Sequence, residues 1–115
     1  MNLQFNAERD KLYVHISGDL DLLVAPSFRA ELDKYLNLKQ ARHLILDFSG
    51  VTFIDSSGLG VILGRYKRLT EIGGTLKICN AGAQISKVLE LSGLNRIIDI
   101  QQKDSFFDRA FEGGK

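Results

Sequence analysis

Near the middle of the chain, residues 44–48 form a nearly continuous apolar segment composed of Leu44, Ile45, Leu46, Asp47 and Phe48. A run of this kind is typical of a central parallel strand whose two faces are both covered. In the segment that follows, at residues 59–72, apolar side chains recur at helical spacing. A buried strand followed by an amphipathic helix is characteristic of α/β domains. The chain is therefore expected to form a sheet with helices packed on it.

The rest of the chain continues this alternation. The other predicted elements are strands at residues 3–5 and 12–16, a helix at 26–36, a strand at 76–79, a helix at 85–89, a strand at 97–100 and a terminal helix at 106–111. Polar residues 8–11 separate the first two strands, which are expected to pair as an antiparallel hairpin. Gly73 and Gly74 are expected to end the helix at 59–72. The aromatic residues of the terminal helix, Phe106, Phe107 and Phe111, are expected in the core.

This order predicts one α/β domain over residues 1–112. Its sheet should be mixed and mostly parallel, with about five strands and about four helices, because strand–helix–strand units give parallel pairs and the hairpin adds an antiparallel one. Residues 113–115 are predicted to be a flexible tail. The pattern leaves the strand order open.

Composition excludes several classes of function. The 115-residue chain carries a formal net charge of +1 with no basic run, which argues against nucleic acid as a partner. Its apolar stretches are too short to span a bilayer, and its N-terminus lacks a signal-peptide pattern. The one cysteine, Cys79, cannot form an internal disulfide and is expected to be a small buried hydrophobe. We therefore expect a cytoplasmic protein that does not associate with a membrane.

Residues 53–60, which join the central strand to its helix, are the most unusual segment. Asp55, Ser56 and Ser57 are all residue types that cap helix starts, whereas Gly58 and Gly60 are disfavoured inside a first helical turn. Ligands and partners of α/β sheets bind at the carboxyl ends of strands, and a helix start favours an anion. The glycines would let another molecule approach the backbone closely. Alternatively, the segment is a plain cap with glycines that allow tight strand–helix packing.

Known catalytic motifs do not fit this segment. A Walker-type phosphate loop needs a lysine, and none occurs between Gly50 and Tyr66. A nucleophile elbow centred on Ser56 needs a glycine where Ile54 stands. The two histidines, His15 and His43, have no sequence reason to meet Ser56. We therefore expect no enzymatic activity, no metal and no cofactor.

The segment resembles the signature of anti-sigma factor antagonists of the STAS family. The residues that carry the resemblance are Asp55, Ser56, Ser57, Gly58, Leu59 and Gly60, followed by Val61, Ile62, Leu63, Gly64, Arg65, Tyr66 and Lys67. Residues 18–21 and 91–94 add weaker support, so that the resemblance covers nearly the whole chain. Stage II sporulation antagonists, which control a forespore sigma factor, are the most similar. Such proteins have polar residues where this chain has Leu22, Leu23 and Val24, and this departure leaves the subfamily open.

The resemblance implies a switch that works by protein binding. The unphosphorylated protein would bind an anti-sigma factor, which is an ATP-dependent serine kinase, and so release the sigma factor. Phosphorylation of Ser56, with Ser57 as a second candidate, would end this binding, and a serine phosphatase would reset the protein. The expected partner surface comprises Asp21, Leu22, Leu23, Asp55, Ser57, Gly58, Leu59 and Gly60. For Leu22 and Leu23 the alternative is that they simply cover the start of the first helix.

Other interpretations stay open at this point. The domain could be a STAS scaffold or a regulatory subunit of another signalling assembly or of a transporter. A nucleotide-binding or hydrolytic protein that uses the strand–helix junction is a further alternative. Asp47 is expected to satisfy nearby backbone or a neighbouring group, or else to contact a partner. A solvated face is expected for Arg65, Lys67 and Arg68, with contact to an acidic partner as the alternative.

Overall fold

A computed structural model of the protein describes residues 1–102. Its strands are β1 (Asn2–Glu8), β2 (Lys11–Leu20), β3 (His43–Ile54), β4 (Thr75–Cys79) and β5 (Asp99–Gln101). Its helices are α1 (Ala25–Lys39), α2 (Ser56–Glu71) and α3 (Ala83–Leu91), with a short 3-10 helix at Leu94–Arg96. The predicted terminal helix at 106–111, its aromatic residues and the predicted tail at 113–115 lie outside the described residues.

The five strands form one sheet in the order β1-β2-β3-β4-β5. β1 pairs antiparallel with β2, and each later pair is parallel. The predicted mixed, mostly parallel α/β sheet is therefore confirmed. Each crossover moves the chain one strand in the same direction, and parallel crossovers are right-handed. All three helices consequently pack on the same face of the sheet.

The main core lies between this face and the helices. Alternate residues of the central strands, such as Leu12, Val14, Leu44 and Leu46, are buried there among residues of all three helices. The intervening residues point to the other face because side chains alternate along a strand. On that face Tyr13, Ile45 and Cys79 form a smaller buried cluster. The prediction that Cys79 is buried is confirmed.

Most elements are longer than predicted, and three differences bear on the connections between them. β3 runs to Ile54, well beyond the apolar segment, and α2 begins at Ser56 rather than at residue 59. β5 begins at Asp99 because residues 97 and 98 still bond to the preceding 3-10 helix: the N–H groups of Ile97 and Ile98 donate to Leu94 O at 3.2 and 2.9 Å. The predicted end of α2 is confirmed: Gly73 has φ +75°, a left-handed conformation that glycine adopts without strain.

Candidate functional site

Asp55 organises the carboxyl end of β3. Its Oδ1 atom accepts hydrogen bonds from the N–H groups of Ser57, at 2.9 Å, and Gly58, at 3.2 Å, which caps α2. Its Oδ2 atom accepts a third hydrogen bond from the N–H of Leu22, at 3.0 Å. One carboxylate therefore fixes the start of α2 and also holds the loop between β2 and α1 beside it.

That loop, residues 21–24, presents two leucines to solvent. Asp21 is half-buried, and its Oδ1 atom accepts a hydrogen bond from the N–H of Val24 at 3.2 Å, which turns the chain into α1. The two residues between them, Leu22 and Leu23, are 73% and 86% exposed. Most of the surface of both side chains is therefore free, although Leu22 also lies beside Ala25 and Pro26 at the start of α1, so the alternative that at least one leucine covers that start stays open. Exposed neighbouring apolar side chains are a feature of surfaces that bind a partner.

Ser56 is the first residue of α2 and is exposed, next to the cap. Ser57 is half-buried. This helix start was expected to favour an anion, but Asp55 already accepts the N–H groups of Ser57 and Gly58. The chain's own carboxylate therefore supplies the negative partner that a helix start favours. What the site offers to another molecule is an exposed serine at the start of a capped helix.

The two glycines of this segment have different roles. Gly58 is buried, and a Cβ atom there would lie 2.4 Å from the carbonyl oxygen of Leu20. Gly60 is exposed, and a Cβ atom there would meet nothing within 4 Å. Tight strand–helix packing therefore explains Gly58, which lies beneath the surface, whereas Gly60 leaves the surface open. Leu59 is half-buried and packs against the core.

A groove of about 630 Å³ runs between α1 and α2 beside Ser57. It is lined by Leu22, Ala25, Pro26, Arg29, Ser57, Gly60, Val61, Gly64 and Arg65. The prediction that Arg65 lies on a solvated face is wrong, because this residue is only 7% exposed. Its Nε atom lies 3.1 Å from Asp33 Oδ1. Burial lowers the pKa of Arg65 from its ordinary value, and the carboxylate of Asp33 opposes this shift.

The carboxylate of Asp47, the polar residue of the buried strand, contacts three neighbouring polar groups. Its Oδ2 atom lies 2.7 Å from His15 Nδ1, and its Oδ1 atom accepts from the Ser49 N–H at 3.0 Å and from Asn80 Nδ2 at 3.1 Å. The interpretation that Asp47 satisfies nearby groups is therefore confirmed. His43 lies at the amino end of β3, whereas Ser56 follows its carboxyl end.

Three residues at or near the site were not predicted from the sequence. Phe53, two residues before Asp55 on β3, is 50% exposed. Arg29 and Gly64 line the groove. A signal for Phe53 was its place in the unusual segment, but periodicity alone could not say that its side chain is exposed. The groove had no local signal, because it forms only where two helices meet.

Two further findings concern ligands and membranes. Within residues 1–102, no three side chains of His, Cys, Asp or Glu are grouped so as to hold a metal ion. In the same part of the chain, no helix combines the length and apolar character needed to cross a membrane.

Comparison with known proteins gives consistent matches. Residues 2–106 match the STAS domain. The anti-sigma F factor antagonist of Paenibacillus polymyxa is 38% identical over 106 residues, which are 90% of this chain and 91% of that protein. The anti-sigma-B factor antagonist of Bacillus subtilis (strain 168) is 31% identical over 103 residues, 90% of this chain and 93% of that one. The solved structure of the Bacillus cell fate determinant SpoIIAA in the phosphorylated form has a TM-score of 0.70 and 25% identity, covering 95% of this chain and 99% of that one.

Proposed function

Since this chain belongs to the STAS domain family, we propose that it is an anti-sigma factor antagonist that is switched by phosphorylation of Ser56. In its unphosphorylated form it binds an anti-sigma factor that is also a serine kinase, and this binding frees the sigma factor. Phosphorylation ends the binding, and a separate serine phosphatase restores it. The names of the two relatives support the antagonist role, and the phosphorylated form of SpoIIAA supports the switch.

The observation that carries the proposal is the exposed hydroxyl of Ser56 beside the exposed leucines of residues 21–24. A kinase can reach Ser56 from solvent because this residue is exposed. The leucines offer apolar surface for docking next to the reacting group. Asp55 holds the two parts together through its bonds to Leu22 and to the start of α2. The proposed partner surface comprises Asp21, Leu22, Leu23, Asp55, Ser57, Leu59 and Gly60, with Gly58 beneath it.

The phosphorylation step needs no catalytic group from this chain. The Ser56 oxygen attacks the γ-phosphorus of ATP, the hydroxyl proton passes to a base, and ADP leaves. The carboxylate of Asp55 already accepts three hydrogen bonds from backbone N–H groups, so it is poorly placed to act as that base. The kinase therefore supplies the base, the metal ion and the nucleotide. This chain supplies the acceptor and the docking surface.

Phosphate on Ser56 is expected to act on the interface and not on the fold. It adds about −1.5 to −2 charges at pH 7. A helix start favours such a charge by about 0.3–1 kcal/mol when exposed, and the neighbouring Asp55 carboxylate opposes it. The free energy of unfolding should therefore change by less than about 1 kcal/mol. In a docked interface the same phosphate would lose water and collide with the partner, and each 1.4 kcal/mol of lost binding is about tenfold in affinity.

The proposal is tested by incubating the protein with its cognate anti-sigma factor kinase and ATP. We expect mass spectrometry to map one phosphate to Ser56, and calorimetry to show strong binding of the kinase only to the unphosphorylated form. Ser56→Ala should keep binding and resist phosphorylation, whereas the matched variant Ser57→Ala should still be phosphorylated. Phosphate on Ser57, or equal kinase affinity of both forms, would contradict the proposal.

A further inference from the structure

The groove between α1 and α2 is open where two packed helices would normally be in contact. The residues on the α2 side of the groove include Gly60 and Gly64, and a Cβ atom at either position would meet nothing within 4 Å. Neither glycine is therefore required by packing within residues 1–102, in contrast to Gly58. Both lower the helix propensity of α2. Their effect is to leave space that a side chain from another molecule can enter.

The charged residues that line the groove are both arginines. Arg29 is exposed, and Arg65 is buried. Two of the buried guanidinium nitrogens, Nε and Nη1 of Arg65, have no hydrogen-bond acceptor among the described residues. The N–H at Nε does not point at Asp33, so their 3.1 Å contact is an ion pair without a hydrogen bond. Buried donors without an acceptor are rare in folded proteins, and each calls for an acceptor such as a water molecule, an ion or a group of another molecule.

Positive charge exceeds negative charge at the end of the groove that contains Arg29 and Arg65. The carboxylate of Asp33 forms ion pairs with three guanidinium groups, those of Arg65 at 3.1 Å, Arg68 at 3.0 Å and Arg29 at 3.9 Å. Three positive charges therefore share one negative charge. An acidic group brought into the groove would complete the pairing, and it would do so beside apolar walls made by Pro26 and Val61.

We propose that this groove receives an acidic side chain, carried on a short apolar segment, of the anti-sigma factor kinase that docks at Ser56. The inference rests on the proposed function and adds the chemistry of the partner. Charge complementarity favours an acidic group, and the apolar walls favour a protein segment over a small free anion. The groove also continues from the proposed partner surface, because Leu22, Ser57 and Gly60 belong to both.

The role of the positive charge in the groove is tested with Arg29→Glu, compared with Lys67→Glu. Both residues are exposed and both variants change the charge equally, but Lys67 does not line the groove. For Arg29→Glu we expect kinase affinity, measured by calorimetry with ADP at about 50 mM salt, to fall at least about tenfold. At about 0.5 M salt the loss should shrink, because Arg29 is exposed enough to be screened. Lys67→Glu should bind within about twofold of the unchanged protein.

The need for an open groove is tested with Gly64→Leu, compared with Lys67→Leu on the solvent side of the same helix. A Cβ atom at Gly64 meets nothing within 4 Å and the rest of the leucine would extend into the groove, so the domain should stay folded with an unchanged or higher Tm, yet it should bind the kinase at least about tenfold more weakly. Lys67→Leu should leave binding unchanged.

The outcomes separate the inference from the proposed function. If the unchanged protein binds the kinase and is phosphorylated on Ser56, but Arg29→Glu and Gly64→Leu bind as well as it does, the groove inference is refuted and the proposed function stands. An equal effect of Arg29→Glu and Lys67→Glu would show a general attraction between the proteins and would also refute it. Failure of the unchanged protein to bind the kinase would overturn both.

Discussion

Gly58→Ala should test how closely α2 is packed on the sheet. The new Cβ atom would lie 2.4 Å from the carbonyl oxygen of Leu20, 3.0 Å from Ile54 Cγ1 and 3.1 Å from Leu20 Cβ. The first of these contacts is with backbone, which cannot rotate away as a side chain can. The start of α2 would therefore have to move by roughly 1 Å to reach an ordinary contact distance.

The magnitude follows from three effects. Overpacking of this kind lowers the free energy of unfolding by about 1–3 kcal/mol, and a backbone clash belongs at the upper end. The Leu20 carbonyl also accepts a hydrogen bond from the N–H of Asp55 at 3.2 Å, which the shift would weaken, at a loss of up to about 1 kcal/mol. The higher helix propensity of alanine returns about 1 kcal/mol. We expect a net loss of about 2–3 kcal/mol.

The matched control is Gly64→Ala in the same helix. A Cβ atom at Gly64 meets nothing within 4 Å, so this variant should gain up to about 1 kcal/mol from helix propensity alone. Urea denaturation followed by circular dichroism should therefore separate the two variants by about 3 kcal/mol, with equal slopes against urea. If Gly58→Ala is as stable as Gly64→Ala, the packing explanation for Gly58 is refuted.

Three further predictions concern the cap, the buried ion pair and the exposed loop. Asp55→Ala removes the acceptor of three N–H groups, so it should lower the free energy of unfolding by about 1–2 kcal/mol. It should also speed hydrogen exchange at the Leu22 amide, and both effects are measurable by NMR. Unchanged exchange at Leu22 would show that the cap does not hold the loop. Asp33→Ala leaves Arg65 buried without a carboxylate and should lower the free energy of unfolding, measured by urea denaturation, by about 2 kcal/mol. This is less than the loss expected for a fully buried pair, because Asp33 is 30% exposed. A loss below about 0.5 kcal/mol would mean that the pair is not stabilising. Leu22→Ser should change stability by less than about 0.5 kcal/mol and weaken kinase binding at least about tenfold by calorimetry, and unchanged affinity would remove Leu22 from the partner surface.

Much of the fold could be predicted from the sequence because it depends on local periodicity. The alternation around Val14 and the helical spacing that begins at Leu59 each identify an element, and Gly73 identifies a helix end. The order of these elements then limits the sheet to a mostly parallel arrangement. The signature at residues 55–60 also marked the candidate site, since cap residues next to glycines are unusual whatever surrounds them.

Element ends were less predictable. β3 continues past Phe48 through residues of which only Val51 and Ile54 are buried, because backbone pairing with β2 extends it to Ile54. The 3-10 helix delays β5 to Asp99 for a similar reason. Local backbone hydrogen bonds there do not depend on a side-chain pattern that a sequence displays.

Local patterns along the chain specify which elements form and which segment is unusual, whereas the role of each site residue follows from the folded arrangement. Gly58 and Gly60 are the same residue two positions apart, yet one faces the Leu20 carbonyl and the other faces solvent. Arg65 is buried because its side of α2 turns towards α1 and Asp33. The physical reason is that these roles depend on contacts between residues more than 30 positions apart, such as Leu22 with Asp55, which no local pattern specifies.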